Sequence, residues 1–376
     1  MAITRISNIA NTLPDDSISN SKLQNVVNFK NIIINGDMSL AQRGTSATGL
    51  GNGDTGYHTV DRYRFAEAGS PTFEFTQSQD TDVPSGQGFA TSLKMDCTTA
   101  QGSLSASDVF YIEQRTEAQN LQYLKFGTAS ATSLTLSFWV KSNKTGTYIC
   151  LLYNIDPNRH ISQSYTINSA NTWEKKTLTF TGDTTGVINN DNGLGFITRW
   201  YLGAGSDYSS GTLQTTWGSE SNTDAAVGQV NLADSTANEW FITGVQLEAG
   251  TTASDFEFLP YDVNLQRCLR YYENLITKES QSLLVSGFCF SSTQIQGIVR
   301  FSVDKRGTPT MGYEVGIAYQ STGEVARTNI TPVFYVPSSK SVMVYANSGV
   351  SVTTGQGVNL VNRDDGTGMI FASSEL

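Results

Sequence analysis

Few residues in this chain have the types and spacing that acid–base or metal chemistry needs. The two histidines, His58 and His160, lie in no catalytic or metal-binding motif, and we interpret both as solvated loop residues. The four cysteines are scattered along the chain, without a Cys-x-x-Cys pair: Cys97, Cys150, Cys268 and Cys289. This pattern predicts buried free thiols rather than a zinc site or a disulfide framework.

Carboxylates are the remaining route to catalysis. A glycosidase needs two of them, roughly 5 to 9 Å apart, in a cleft. The acidic residues available between 31 and 260 include Asp54, Asp61, Asp108, Glu113, Asp207 and Asp255. Their spacing along the sequence selects no pair, so we predict solvated surface positions, no catalytic residue and no enzyme.

A loop of oxygen-bearing side chains at 188–195, INNDNGLG, contains Asp191. Calcium takes roughly six to eight oxygen ligands and tolerates such loops, which makes Asp191 a weak candidate for a structural calcium site. The spacing does not match an EF-hand, and a plain turn is the alternative. No other cofactor is expected.

Aromatic residues gather at 197–219, around a loop rich in Gly and Ser. Flat rings can stack on sugar faces while polar loop groups satisfy the hydroxyls. Tyr208 and Trp217 are therefore candidate ligand-binding residues. We assign Trp200, Trp139 and Trp173 to the core.

The elements that must position these residues begin with a short N-terminal module, residues 1–30. Its apolar residues recur every three or four positions until Pro14 breaks the pattern: Ile3, Ile6, Ile9 and Leu13. The segment is too short to bury this stripe by itself. We predict an anchor that trimerises or docks on another protein, and a frayed terminus is the alternative.

Residues 31–260 predict a jelly-roll or β-sandwich body, since many short strand-like runs alternate with turns. The clearest runs are LTLSFWV at 134–140 and YICLLYN at 148–154. The Gly-rich segment 44–58 is predicted to be a loop. Strand-like alternation over 240–247 then gives way to a helical repeat at 263–275, so we place a connecting helix within 261–280. Strands resume in 281–376, a smaller C-terminal β-domain.

Charge and composition narrow the function classes. The chain has a net charge of −10. Residues 31–260 have a net charge of −11, residues 1–30 have +1, and residues 261–376 are neutral overall. An acidic body argues against a nucleic-acid partner, because phosphate binding needs clustered Lys and Arg. No apolar run approaches the roughly 20 residues that span a bilayer, and the N-terminus has no secretory signal. We expect folding in a cytoplasm and no membrane insertion.

Several segments together resemble bacteriophage tail-fibre and other virion receptor-binding proteins. The strongest is VQLEAGTTASDFEFLPYDVNLQRCLRYYE at 245–273, which is similar to a VQLE-x-G strand, a Leu-Pro turn and a helix ending Cys-x-Arg-Tyr-Tyr. NIIINGDM with QRG (31–44), DRY (61–63) and FWVKS (138–142) also match, with tyrosine at 63 where tryptophan is usual. The resemblance implies a carbohydrate-binding-module-like jelly roll in a virion fibre, usually a homotrimer. It transfers no catalytic residue.

We therefore expect a trimeric phage tail fibre that assembles in the host cytoplasm. Residues 1–30 would attach to other tail proteins, and the distal C-terminal domain would bind a host surface glycan or lipopolysaccharide. Loops at Arg306, Tyr313 and Arg363 are candidates for that contact, with ordinary hairpin turns as the alternative. A tailspike depolymerase and a purely structural tail adaptor remain open as other functions.

Overall fold

The structure is a computed structural model, which describes residues 29–276, 283–314, 317–321, 328–335, 337–349, 351–362 and 369–376. The predicted all-β class is confirmed, since the described strands form four antiparallel sheets and the described helices are few and short. Residues 1–28, with the predicted anchor residues Ile3, Ile6, Ile9 and Leu13, lie outside the described residues. The domain boundaries proposed from the sequence stay predictions.

Two sheets face each other across the core of the body. Its strands are β1 Ser46–Leu50, β2 Gly56–Tyr57, β3 Arg64–Ala68, β4 Glu74–Asp80, β5 Ser92–Thr99, β6 Val109–Glu117, β7 Leu134–Ser142, β8 Gly146–Asn154, β9 Arg159–Ile167, β10 Glu174–Phe180, β11 Leu194–Ala204, β12 Gly218–Ser219 and β13 Glu239–Ala249. One sheet has the order β1-β4-β5-β13-β7-β10, and the other has the order β12-β9-β8-β11-β6-β3-β2. This arrangement is the β-sandwich that the alternating runs predict.

Alternation along β7 shows how the core forms. Phe138 and Val140 point inward and are fully buried, whereas Trp139 between them is only partly buried on the outer face. Trp173 is likewise partly buried, and its indole N–H donates to Asp82. The assignment of both tryptophans to the core was wrong: Trp139 alternates with inward-facing neighbours on β7, and Trp173 lies in the loop just before β10. Trp200 is fully buried, as predicted.

Four strands of the body were not predicted: the two-residue strands β2 and β12, and the longer β1 and β9. β1 crosses the Gly-rich segment that we interpreted as a loop, and it pairs with β4 through a register shift between Ala47 and Leu50. β9 contains His160, which is 1% exposed rather than solvated. Asn158, with φ 54°, turns the chain so that His160 lies opposite Tyr153 on β8.

The described helices are short: turns of 3₁₀ helix at Ala118–Leu124, Asn222–Asp224 and Leu232–Asp234, and α-helices at Ser206–Ser209 (α1) and Tyr261–Leu269 (α2). None of them is long and apolar enough to cross a membrane. The helix predicted over 263–275 ends at Leu269 instead. Tyr272–Ile276 forms strand β14, because its backbone pairs with the last strand of the C-terminal domain.

The C-terminal domain also contains two sheets. Its strands are β14 Tyr272–Ile276, β15 Leu283–Cys289, β16 Gln294–Arg300, β17 Thr310–Glu314, β18 Ile317–Ser321, β19 Thr328–Asn329, β20 Val333–Tyr335, β21 Ser341–Asn347, β22 Gly357–Asn362 and β23 Met369–Ser373. The smaller sheet has the order β14-β23-β17, and the larger has the order β19-β18-β22-β15-β16-β21-β20. Cys289 lies in the core between them. All four cysteines are free and buried, as predicted.

The junction between the two domains is built from the motif segments that carry the family resemblance. The Arg62 guanidinium lies 3.5 Å from the ring centroid of Tyr271, and that of Arg43 lies 3.6 Å from the centroid of Tyr272. Both arginines also pair with Glu375. QRG, DRY and RYYE, which are far apart in sequence, therefore meet in one packed cluster.

Two buried carboxylates fix the end of α2 to both domains. Glu117 of the body accepts hydrogen bonds from Arg270 Nε and Tyr271 Oη, each at 2.6 Å. Burial alone would raise the pKa of Glu117, but these bonds hold it below its usual value. Glu273 pairs with Lys305 of the C-terminal domain, whose side chain is fully buried. The C-terminal domain is thus held firmly on the body.

The opening motif ties the first described residues to the last strand of the body. The Asn31 side chain donates to Val245 O at 3.0 Å and accepts from Leu247 N at 3.1 Å. A Cβ on Gly36 would lie 2.1 Å from Val245 O, so only glycine fits there. These motif residues therefore stabilise the fold, as their sequence pattern suggested.

Candidate functional site

The outer surface of the larger C-terminal sheet exposes apolar side chains. Along β16, Ile295 and Val299 point into the core, while Gln296 and Ile298 point outward. Ile298 is 65% exposed. Because one face of this sheet covers the core, the outward positions of its neighbouring strands form one continuous surface.

Strand register arranges the outward side chains in two rows. The first row crosses four strands through Val333, Tyr345, Gln296 and Phe288. The second row crosses three strands through Tyr335, Met343 and Ile298. We call this surface, together with Phe290 and Gln294 at the β15–β16 hairpin, the aromatic face.

Four of its rings are accessible to a ligand, among them that of Phe288, which is 45% exposed. Phe290 is 58% exposed and Tyr335 is 57% exposed. The ring of Tyr345 lies 6.5 Å from that of Tyr335, nearly perpendicular to it. Exposed apolar patches of this kind mark binding surfaces more often than chance.

Tyr345 separates two shallow depressions on the aromatic face. One, of about 500 Å³, is lined by Phe290, Tyr335 and Met343, and the other, of about 480 Å³, is lined by Val333 and Asn347. Gln294 and Tyr345 line both. Two adjoining depressions suit an extended ligand with several units better than a single compact molecule.

The polar groups of the aromatic face are uncharged. In the part of the chain that the structure describes, the side-chain amides of Gln294, Gln296 and Asn347 have no hydrogen-bond partner within the protein. The described residues that line the two depressions include no charged side chain. Unpaired amides beside exposed rings can bind hydroxyl groups while the rings stack on flat apolar faces.

The residues predicted for the C-terminal site lie elsewhere. The Arg306 guanidinium donates to Ser374 O at 2.9 Å and to Asn192 O at 3.0 Å, so it links the C-terminal domain to the body. Tyr313, 41% exposed, lies on β17 of the smaller sheet. Arg363 lies outside the described residues. A ligand-binding role for these three stays a prediction.

The aromatic residues predicted in the body do not form a shared surface. Trp200 and Tyr201 are both buried on opposite faces of β11, because they are consecutive strand residues. The ring of Trp217 packs 5.6 Å from that of Phe126, and its N–H donates to Thr181 O. Tyr208, in α1, packs half-buried on the body sheet. Ligand binding by Tyr208 and Trp217 also stays a prediction.

Three of the carboxylates that we expected to be solvated are buried. Asp61 accepts from Gln42, Asp108 accepts from backbone N–H groups, and Glu113 pairs with three arginines. Burial would raise the pKa of Glu113, but Arg199 and its neighbours hold it below its usual value. These acids are fully engaged in the fold.

The candidate calcium loop is closed by its own backbone. Asp191 accepts the N–H of Gly193 at 2.8 Å, and its carbonyl accepts from Gln119. Among the described residues, no three His, Cys, Asp or Glu side chains approach closely enough to hold a metal ion.

The aromatic face lies on strands, whereas the candidate residues were predicted mainly in loops. A usable signal was present in QIQGIVR (294–300) and SVMVYAN (341–347), where apolar or aromatic residues occupy both alternating sets. A half-exposed strand normally keeps one set polar. Such doubly apolar strands in a two-layer domain indicate a functional outer face.

Comparison with other proteins gives likeness at the level of solved structures only. No protein-family model matches the chain, and no curated protein matches it. The enzymatically active domain of tailspike protein 4 from bacteriophage CBA120 is similar over 59% of this chain, at 12% identity and a TM-score of 0.32. That similarity spans 22% of the tailspike chain.

Carbohydrate-binding modules give similar results. A family 11 module from Clostridium thermocellum, in complex with a mixed-linked tetrasaccharide, aligns with 56% of this chain and 99% of its own, at 10% identity and a TM-score of 0.27. A xylan-binding module from Paenibacillus barcinonensis aligns with 57% and 100%, at 12% identity and 0.25. Scores of this size carry no inference about the ligand of this protein.

Proposed function

We propose that this protein is a bacteriophage tail-fibre protein that recognises a host cell-surface glycan through the aromatic face. The uncharged combination of exposed rings and unpaired amides supports this proposal most directly. Rings of Phe290, Tyr335 and Tyr345 would stack on pyranose faces, and Gln294 would bind hydroxyls. The sequence motifs at 245–273 support the placement in a tail fibre.

The proposed fibre is a homotrimer located on the virion and assembled in the host cytoplasm. Residues 1–30 attach it to other tail proteins, and the junction holds the C-terminal domain at a fixed angle. A single shallow face binds a glycan weakly, but three copies on one particle raise the effective concentration of the second and third contacts. A light-scattering mass near three times 40.8 kDa is expected. A stable monomer would contradict the trimer.

The proposed function includes no catalysis. The buried carboxylates Asp61, Glu113 and Glu117 already pair with side chains of this protein. They are therefore not free to act as the acid or base of a glycosidase. Incubation with host polysaccharide should release no new reducing ends. Their appearance would favour a tailspike depolymerase instead.

The direct test uses the full chain on an array of bacterial glycans and on host cells. We expect binding to neutral oligosaccharides, competed by intact phage. The double variant Phe290→Ala/Tyr335→Ala should lose this binding without loss of folding, because both rings are more than half exposed.

Tyr261→Ala is the matched control, since it removes a tyrosine of α2 that is 65% exposed and lines neither depression. It should bind like the wild type. If the double variant Phe290→Ala/Tyr335→Ala binds as tightly as the wild type, the aromatic face is not the site. A fall in solution mass without any change in glycan binding would show that the face packs between copies instead.

A further inference from the structure

A second, chemically different pocket lies at the start of the body. It is a cavity of about 290 Å³, lined by Phe29 and Asn31, by Asn120 and Tyr123 of the 3₁₀ turn, and by Arg267 of α2. Ligand pockets usually measure about 300 to 1,000 Å³, so this cavity suits one ring-sized group. It shares no residue with the aromatic face.

Arg267 is the unusual residue of this pocket. Its Nη2 donates to Asn31 O at 3.1 Å, but among the described residues no carboxylate lies within 4 Å of the guanidinium. Arg270, one turn away, is paired with Glu117. Burial lowers the pKa of Arg267, against the opposing effect of Glu257 and other neighbours. A half-buried cation without a direct ion pair costs free energy that an anionic ligand would recover.

The rim of the pocket adds flat surfaces and a polar group. Phe29 is 56% exposed and Tyr123 is 51% exposed, so both rings can contact a bound molecule. Asn120, an exposed residue on the same turn, supplies an amide. One class of ligand would satisfy all of these groups. It has an oxyanion to pair with Arg267, a ring to contact the aromatic rim, and hydroxyls to bind the amide.

We infer that this pocket binds the carboxylate of an acidic monosaccharide unit, of the uronic or sialic type, with Arg267 as its counter-ion. The inference stands apart from the proposed function, because it rests on different residues and a charged ligand. If it holds together with that function, the protein has one neutral and one acidic glycan site, on different domains.

The experiment titrates the full chain separately with glucuronate, N-acetylneuraminate, inorganic phosphate and glucose, by calorimetry or ligand-detected NMR. We expect saturable binding of at least one acidic sugar and none of glucose. Arg267→Gln should weaken that binding at least tenfold. Asn120→Asp, an exposed substitution that spares the fold, should weaken it similarly by repulsion.

Arg300→Gln, an exposed arginine of the C-terminal sheet, is the control and should leave the affinity unchanged. Failure of every acidic sugar to bind, or unchanged affinity in both Arg267→Gln and Asn120→Asp, would overturn the inference. Phosphate binding equal to that of the sugars would reduce the site to a simple anion site and contradict the role of the rings.

Discussion

The junction and the aromatic face use tyrosine in opposite ways. At the junction, Tyr271 and Tyr272 lie buried beneath the guanidinium groups of Arg62 and Arg43. On the aromatic face, Tyr335 is more than half exposed, and no cation covers it in the described structure. A tyrosine whose ring is already stacked by the protein stabilises the fold. A tyrosine left without such a partner is available to a ligand.

The largest expected effect is a loss of stability when the junction is mutated. Lys305→Met removes the buried ammonium and leaves the Glu273 carboxylate with only Ser302 as donor. Loss of one partner from a buried ion pair costs about 3–5 kcal/mol, so the free energy of unfolding should fall by that amount. Urea denaturation monitored by circular dichroism measures it.

Lys340→Met is the control for this prediction. Lys340 and Asp304 form a solvent-exposed pair at 3.5 Å in the same domain, and such pairs contribute about 0–1 kcal/mol. Equal destabilisation by the two variants would show that the junction is not the stabilising centre that we describe.

Acidification should weaken the body before the C-terminal domain, because both histidines of the chain lie in the body. Burial lowers the pKa of His160 to about 4, although Asp224 opposes this, whereas an unfolded histidine titrates near 6.5. The unfolded state therefore binds more protons between these values, and stability is lost as pH falls below about 6.5. The loss between pH 7 and 5 should be on the order of 2 kcal/mol.

His160→Gln tests this assignment. The variant should show a flatter dependence of unfolding free energy on pH over the same range, measured by urea denaturation at pH 7, 6 and 5. An unchanged slope would mean that another group causes the acid sensitivity.

One tyrosine from each region should give opposite results in the same two assays. Tyr345→Ala should weaken oligosaccharide binding by about tenfold, or ~1.4 kcal/mol, because Tyr345 lines both depressions. Tyr271→Phe should leave the affinity unchanged and cost about 1–3 kcal/mol of stability, since Glu117 loses a buried donor. Calorimetric titration measures the affinity and urea denaturation the stability of both variants. Loss of affinity in Tyr271→Phe, with none in Tyr345→Ala, would contradict these roles.

The smallest expected effect is that of salt. The aromatic face has no charged lining, so glycan affinity should change less than about twofold between 50 and 500 mM NaCl. Binding of an acidic sugar at Arg267 should weaken over the same range. A steep salt dependence for the neutral glycan would place charged groups in its site.

The sequence predicted the parts of the fold that follow from local alternation. LTLSFWV and YICLLYN gave correct strands, and the scattered cysteines gave buried thiols. It missed β1, because glycines that break a strand locally are tolerated where a neighbour supplies the ladder. The end of α2 was likewise decided by pairing with β23, more than 90 residues away.

The candidate site was harder to predict, for a physical reason. Arg306 resembles a loop residue in sequence. In the structure it instead links the two domains, through long-range hydrogen bonds to Asn192 and Ser374. The outward positions of β16 and β21 form a surface only through cross-strand register. A one-dimensional pattern specifies which residues alternate, but not which face remains uncovered.

Hydroxyl-radical footprinting of the full-length protein tests the central claim most directly. Oxidation of side chains would be measured by mass spectrometry with and without the host glycan. The account predicts protection of Phe290, Tyr335, Met343 and Tyr345 by the glycan, and no change at Tyr271 or Tyr272. Protection confined to the body, or none on the aromatic face while the glycan is bound, would contradict it.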